Sequence, residues 1–336
     1  MRKKVTLKQL AEELNLSIST VSKSLKDDSE ISQKTIEKVK ALAKKHNYKP
    51  NALAVSLKSS KTKSVGVIIP DILNPFFAKA LLGIEKEASK DGYKIVTCIT
   101  SESYEKEVEY LDMLSYNGVD GFILAMSQET QHKNKTAHFE EILKDDIPIV
   151  MFDRVADEIY CDKVIVDDKE GASHAVDYLI TKNKCKRIAV ITTIAGLSVA
   201  KLRLNGVKTA ANEKKNVTLL KLEMKKSTNA EERIEEFLKK NEIDGVVALD
   251  EVAAVNSINM ANKIGKKVPE DIAVIGFSDG GMAKYTYPAL TTVSQHAKRL
   301  GKTAAKILID KLELRAKAYL PKTKVIKTTL IEREST

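Results

Sequence analysis

Residues 6–25 read Thr6-Leu7-Lys8-Gln9-Leu10-Ala11-Glu12-Glu13-Leu14-Asn15-Leu16-Ser17-Ile18-Ser19-Thr20-Val21-Ser22-Lys23-Ser24-Leu25, and the fold of the N-terminal part follows from this stretch. Thr6 and Gln9 have capping-box spacing, and Leu7, Leu10, Ala11 and Leu14 recur at helical intervals. The helix should end near Asn15, because Asn tolerates the left-handed backbone of a tight inter-helix turn. Leu16 then plugs inward, and Ser17 is a good N-cap for a second helix through Leu25. With Val21 and Leu25 facing inward, Ile18, Ser19, Thr20, Ser22, Lys23 and Lys26 are left on the outer side or at the N-terminal end. That is a helix-turn-helix. A third helix from Ser32 to about Asn47 turns Ile36, Val39, Leu42 and Ala43 inward and Lys34, Lys38, Lys40, Lys44 and Lys45 outward.

The charge distribution agrees with this division. The 336 residues carry 56 Lys and Arg against 46 Asp and Glu, a net +10. Residues 1–63 alone hold 15 against 6, or +9, and the remainder 41 against 40. A small basic module that meets a polyanion, followed by a larger balanced body, is the arrangement this implies. Lysine-rich helices also serve solubility alone, so charge does not decide the matter by itself. At about 150 residues per domain the chain holds two or three compact units. Cys98, Cys161 and Cys185 are far apart and form neither a disulfide framework nor a metal knuckle; core thiols in a reducing, cytoplasmic setting are expected. The N-terminus lacks the continuous apolar segment of a signal peptide, and no run reaches the ~18 apolar residues of a membrane helix.

TLKQLAEELNLSISTVSKSL, KTIEKVKALAKKHNYKPNALAVSL and KTKSVGVIIPDILNPFF together closely resemble the LacI/GalR family of bacterial transcription regulators, and the resemblance continues to the C-terminus. It implies that the second helix enters the major groove, with Ile18, Ser19 and Lys23 at base edges. Thr6, Ser17, Thr20, Ser22, Lys26 and Asn51 then match phosphate-contacting positions, as Ser32, Thr35 and Tyr48 also can. Side-chain chemistry agrees: hydroxyls suit phosphate oxygens, and Lys23 can reach guanine O6 and N7. Pro50 to Lys58 is similar to the family's hinge helix, too short to be stable alone in water. Leu57 matches the leucine that wedges into a base step, and Ala54 the small residue that permits close approach. Asn15 replaces a common Gly, and Val55 a polar or basic residue.

From Val65 onward, short β-branched runs alternate with helical stretches: VGVIIP, YKIVTCIT, GFILAM, PIVMFD, KVIVD, then RIAVITT, VTLLKLE, GVVALD and IAVIGFS. Continuous apolar runs of this kind read as buried parallel strands, so the body should be two doubly wound α/β subdomains. The expected fold is therefore an all-α helix-turn-helix domain on a periplasmic-binding-protein-like α/β body. A long helix through Leu314 and one strand in KTKVIKTTLIER complete it. By resemblance, the late helix returns to the first subdomain and the last strand joins the second. The expected boundaries are 1–49 for the DNA-binding domain, 50–64 for hinge and linker, and 65–336 for the body. Subdomain 1 takes about 65–165 and 296–322, and subdomain 2 about 166–295 and 323–333.

Ligands of open α/β sheets bind beyond the carboxyl ends of the strands. There the sequence places Asn74, Phe76 and Phe77, either Phe able to stack on a ligand ring, and the adjacent acceptor and donor Asp153 and Arg154. Arg203 matches the family's effector-binding arginine, and Asp250, Asp279 and Gln295 complete the candidates. Leu249 and Ser278 depart from residues common in sugar-binding relatives. The set favours a sugar or sugar phosphate over a purine. An enzyme is not expected: GxGxxG, HExxH and GxSxG are missing, and Gly301-Lys302-Thr303 mimics a P-loop with His296 where its first glycine belongs, which reads as helix surface. No catalytic residue, metal or cofactor is expected. The reading is a cytoplasmic, dimeric, effector-controlled repressor of a palindromic operator. A solute-binding protein or a sugar-modifying enzyme on the same body are the alternatives.

Overall fold

The computed structural model describes residues 5–48, 61–116, 118–214, 216–225, 229–277, 280–313 and 320–336. The chain divides into two compact units, Met1–Thr62 and Lys63–Thr336.

The first unit contains α1 (Leu7–Leu14), α2 (Ile18–Ser24) and α3 (Gln33–Lys45). Local chemistry fixes each boundary. Thr6 Oγ1 accepts from the Gln9 amide while Gln9 Oε1 accepts from the Thr6 amide, closing the capping box at 3.3 and 2.8 Å. Asn15 takes the left-handed conformation, φ 53°, and ends α1. Ser17 caps α2 through the Thr20 amide, and Ser32 caps α3 through that of Thr35. Leu10, Ala11, Val21, Val39 and Ala43 form the core. Ser24 is also buried, donating to the Thr20 carbonyl at 2.8 Å.

The second unit has two six-stranded sheets. In chain order its elements are β1 (Ser64–Ile69), α4 (Pro75–Ala88), β2 (Lys94–Ile99), α5 (Tyr104–Tyr116), β3 (Gly121–Leu124), α6 (Gln128–Lys133), α7 (Ala137–Lys144), β4 (Ile149–Phe152) and β5 (Asp162–Val166). They are followed by α8 (Asp168–Thr181), β6 (Arg187–Thr192), α9 (Ser198–Asn212), β7 (Thr218–Glu223), α10 (Ala230–Lys240), β8 (Gly245–Ala248), α11 (Glu251–Lys263), β9 (Ala273–Phe277) and β10 (Thr291–Ser294). Last come α12 (Ala297–Leu312), β11 (Thr323–Ile326) and β12 (Thr329–Ile331). The sheet orders are β11-β5-β4-β3-β1-β2 and β12-β10-β9-β8-β6-β7. Every pairing is parallel except β10 with β12. The chain thus passes between the lobes three times: after β5, between β10 and α12, and between β11 and β12.

The expected single strand over KTKVIKTTLIER is two, and its first half does not join the second subdomain. β11 pairs with β5 in the first sheet and β12 with β10 in the second. The chain breaks at Lys327-Thr328 because Asp167 Oδ1 takes the Thr328 amide at 2.6 Å and Lys327 bridges Asp167 and Glu170. α12 does return to the first lobe, burying Leu300, Ala304 and Leu308 among Val67, Phe77 and Phe152. It ends at Leu312; Leu314 lies outside the described residues. Gly301 is buried against α4, not on the helix surface, and a Cβ there would lie 2.0 Å from the Ala80 carbonyl oxygen.

Candidate nucleic-acid interface and effector cleft

In the first unit, the capped N-terminus of α2 gathers the short polar side chains. Ser17 and Ser19 are exposed, Ile18 is 48% exposed, and Thr20 and Ser22 are half-buried. The Ser17 and Thr20 hydroxyls are 2.8 Å apart, and unpaired amides of the first turn sit beside them, an arrangement that receives phosphate oxygens well. Thr6, exposed at the start of α1, has its hydroxyl in the capping box. Lys26 is exposed, whereas Lys23 is ion-paired with Glu30, whose carboxylate raises the lysine pKa. Lys23 must exchange that partner to reach a base. Glu30 was not singled out from sequence, since it lies seven residues on and beyond the helix. Ser32 and Thr35 bond each other at 2.9 Å, and His46 ties α3 to α1 through Glu13 at 2.8 Å. Asn51, Ala54 and Leu57, together with Val55, lie outside the described residues.

In the second unit, buried charge converges where the lobes meet. Arg154, just past β4, donates from Nη1 to both carboxylate oxygens of Glu102 at 2.9 and 2.7 Å, and its guanidinium carbon stands 5.3 Å from the Phe77 ring centroid. Asp153 and Arg154, the adjacent acceptor and donor, approach each other no closer than 4.0 Å, Nε to Oδ2. Asp153 is buried in a left-handed conformation, φ 58°. Its pKa is pushed up to about 6, first by burial and then by the Asp168 charge, against the lowering effect of Arg154 and Arg203. From the other lobe, Arg203 on α9 donates to Asp168 Oδ1 at 2.6 Å and to the Leu249 carbonyl at 2.7 Å, while stacking 4.4 Å from the Phe277 ring centroid. Burial raises the Asp168 pKa despite Arg203 beside it. Gln295 is buried at the crossover before α12.

Four other candidates carry structural duties. Asn74 is exposed and caps α4 through the Phe76 amide. Phe76 and Phe77 are both buried, ring edge to face with each other, and Phe77 packs likewise on Phe152, which places both in the core of the first lobe. The Asp250 carboxylate is filled by Thr192, the Thr193 amide and hydroxyl, and the Ala253 amide of the α11 N-terminus. Asp279 lies outside the described residues.

Glu102 and Asp168, which the sequence reading missed, complete the two buried arginine pairs. A signal existed: Glu102 follows the YKIVTCIT run and Asp168 follows KVIVD, both at strand ends. The rim of the cleft, about 200 Å³, is lined by Met126, Thr130, Gln131, Val155, Ser198 and Lys201 among others. Gln131 Oε1 bridges the lobes by accepting the Ser198 amide at 2.9 Å. Among the described residues no group of three or more His, Cys, Asp or Glu is placed to hold a metal, and no helix is long and apolar enough to cross a membrane.

A capped helix-turn-helix joined to a two-lobed, periplasmic-binding-type body with buried charge in its cleft defines a ligand-responsive DNA-binding regulator. The chain matches the bacterial regulatory protein, lacI family, over residues 6–51 and the periplasmic binding protein-like domain over 176–336. It is 33% identical to the HTH-type transcriptional regulator RegA of Clostridium saccharobutylicum, covering 98% of this chain and 99% of the relative. It is 31% identical to the ribose operon repressor of Halalkalibacterium halodurans, covering 92% and 90%. Among solved structures it is similar to a LacI family transcriptional regulator from Enterococcus faecium with bound ribose, with 30% identity, a TM-score of 0.72, and coverage of 81% of this chain and 98% of that one. The protein belongs to the LacI family; it is a transcriptional regulator and not an enzyme.

Proposed function

We propose that the protein represses transcription by binding a palindromic operator as a homodimer, and that a sugar or sugar phosphate in the inter-lobe cleft controls that binding. The observation that carries this reading is the pair of buried arginines, Arg154 held by Glu102 in one lobe and Arg203 held by Asp168 in the other, with Asp153 coupled electrostatically to both. A planar donor next to an acceptor on each side suits a ligand rich in hydroxyls or bearing phosphate, and the related ribose repressor and ribose-bound regulator support a sugar. Gln295 is buried in the crossover that joins the two lobes.

The mechanism is a population shift. Ligand favours one lobe arrangement, the paired first lobes rotate, and the segment carrying Asn51, Ala54 and Leu57 gains or loses the spacing needed in the minor groove. Ile18, Ser19 and Lys23 read bases, while Thr6, Ser17, Thr20, Ser22 and Lys26 hold phosphates. Fluorescence anisotropy on a palindrome from the protein's own upstream DNA tests the first part. Lys23→Ala should weaken specific binding by ~1–3 kcal/mol, and an unchanged affinity removes Lys23 from the base edge. Calorimetry with a panel of sugars and sugar phosphates tests the second. Arg203→Lys should weaken the best ligand about tenfold or more, since Lys lacks the bidentate fork; unchanged affinity places the ligand elsewhere.

A further inference from the structure

Apart from the inter-lobe cleft, the body has a cavity of about 680 Å³, a groove between α4 and α12. Glycine sets its depth. A Cβ at Gly83 would lie 2.1 Å from the Lys298 carbonyl oxygen, and one at Gly301 2.0 Å from that of Ala80, so the two backbones nearly touch. That closeness brings two basic helix faces together. Lys79, Lys86 and Lys90 line one wall and Lys298, Arg299 and Lys302 the other, with half-exposed Leu82 between them. The only carboxylate in the lining is Glu87, already paired with Lys90 at 2.5 Å. The side chains of Lys86, Lys298, Arg299 and Lys302 have no hydrogen-bond or ion-pair partner among the described residues. Like charges held on a concave wall repel one another and focus the field in the groove, and an anion relieves both.

We propose that this groove is a second binding site, separate from the cleft, for a small polyanion carrying at least two phosphate groups. The volume lies within the ~300–1,000 Å³ of small-molecule sites and exceeds what one phosphate fills. Cations on both walls require a ligand with charge at two ends, and Arg299 supplies a planar fork for phosphate oxygens while the lysines act as point charges. The site is independent of what the cleft binds.

The test is calorimetry on the full chain at ~0.15 M salt, with inorganic pyrophosphate as the probe and sulfate as the control for screening. Pyrophosphate should bind about tenfold or more tightly than sulfate, and Lys86→Gln/Arg299→Gln/Lys302→Gln should remove that advantage while Arg203→Lys leaves it intact. These three positions are exposed, and operator affinity without added polyanion should be unaltered in the triple variant. Equal affinity for the two anions, or the advantage surviving in the triple variant, overturns the proposal. Loss in Arg203→Lys alone would assign pyrophosphate to the cleft, and weaker operator binding by the triple variant without polyanion would assign the basic face to DNA phosphates; either result also overturns it.

Discussion

The two lobes use one packing device for opposite electrostatic ends. Each lobe packs two helices closely at glycine: Gly83 and Gly301 where α4 crosses α12, Gly206 where α9 crosses α8, with a Cβ at Gly206 reaching 2.0 Å from the Lys169 carbonyl oxygen. In the second lobe the crossing turns charge inward, Arg203 of α9 locking onto Asp168 at the start of α8. In the first it leaves charge outward, around an open groove. Close helix approach fixes side-chain geometry in both; whether that rigidity holds a buried pair or an exposed cationic wall depends on which residues flank the glycine.

Removing the inward charge gives the largest expected effect. Arg203→Ala leaves the Asp168 carboxylate buried without its guanidinium, which should cost about 3–5 kcal/mol at pH 7. The loss should shrink on acidification, because burial already raises the Asp168 pKa and the protonated carboxyl needs no counter-charge. Urea midpoints follow this directly, and Asp168→Asn in the Arg203→Ala background should recover part of the loss. If Arg203→Ala costs no more than a surface substitution, the second lobe does not depend on its buried pair.

Breaking the shared device comes next. Gly206→Ala and Gly301→Ala both drive a methyl into a backbone carbonyl, which cannot rotate away, so each should destabilise by about 3 kcal/mol despite the helix-favouring residue. Equal losses in the two lobes would sharpen the comparison; a wild-type midpoint for either would show that its helices can separate freely.

What could be read from sequence divides by range along the chain. Thr6, Asn15, Ser17 and Ser32 were legible because a cap is settled within three or four residues. The central strand runs of the body were legible because buried parallel strands, such as β1, β3, β4, β8 and β9, need continuous apolar side chains. The Arg154–Glu102 pair spans 52 positions, Arg203–Asp168 spans 35, and Gly83 meets a helix more than 200 residues away, so no local pattern announces them. The break at Lys327-Thr328 was hidden for the same reason, since the residue that captures the Thr328 amide is Asp167. Asp250 looked like a ligand contact because a strand-end Asp caps a helix and binds a hydroxyl with the same oxygens.

Between the lobes, Asp153 carries a cost that pH can remove. Its pKa is about 6 in the folded chain against an ordinary 3.8, so the native state holds the proton more tightly. Stability from this group is therefore full below about pH 4, falls as pH rises toward 6, and stays reduced above it, by ~1–3 kcal/mol. Asp153→Asn should raise the urea midpoint at pH 7 and leave it unchanged near pH 4. The variant should lose ligand affinity as it gains stability, as expected where a strained, desolvated group is kept for binding.

The smallest expected effect tests the outward half of the comparison. Arg299→Gln removes one exposed cation from a wall of like charges, and surface substitutions of this kind stay within about 0.5 kcal/mol. Its sign is informative: with no anion present the change should be neutral or slightly stabilising, and more so at low salt, where repulsion between neighbouring cations is less screened. A clear destabilisation that persists in high salt would mean that Arg299 supports the fold. The first lobe would then resemble the second, with its charge built into the helix crossing instead of displayed on it.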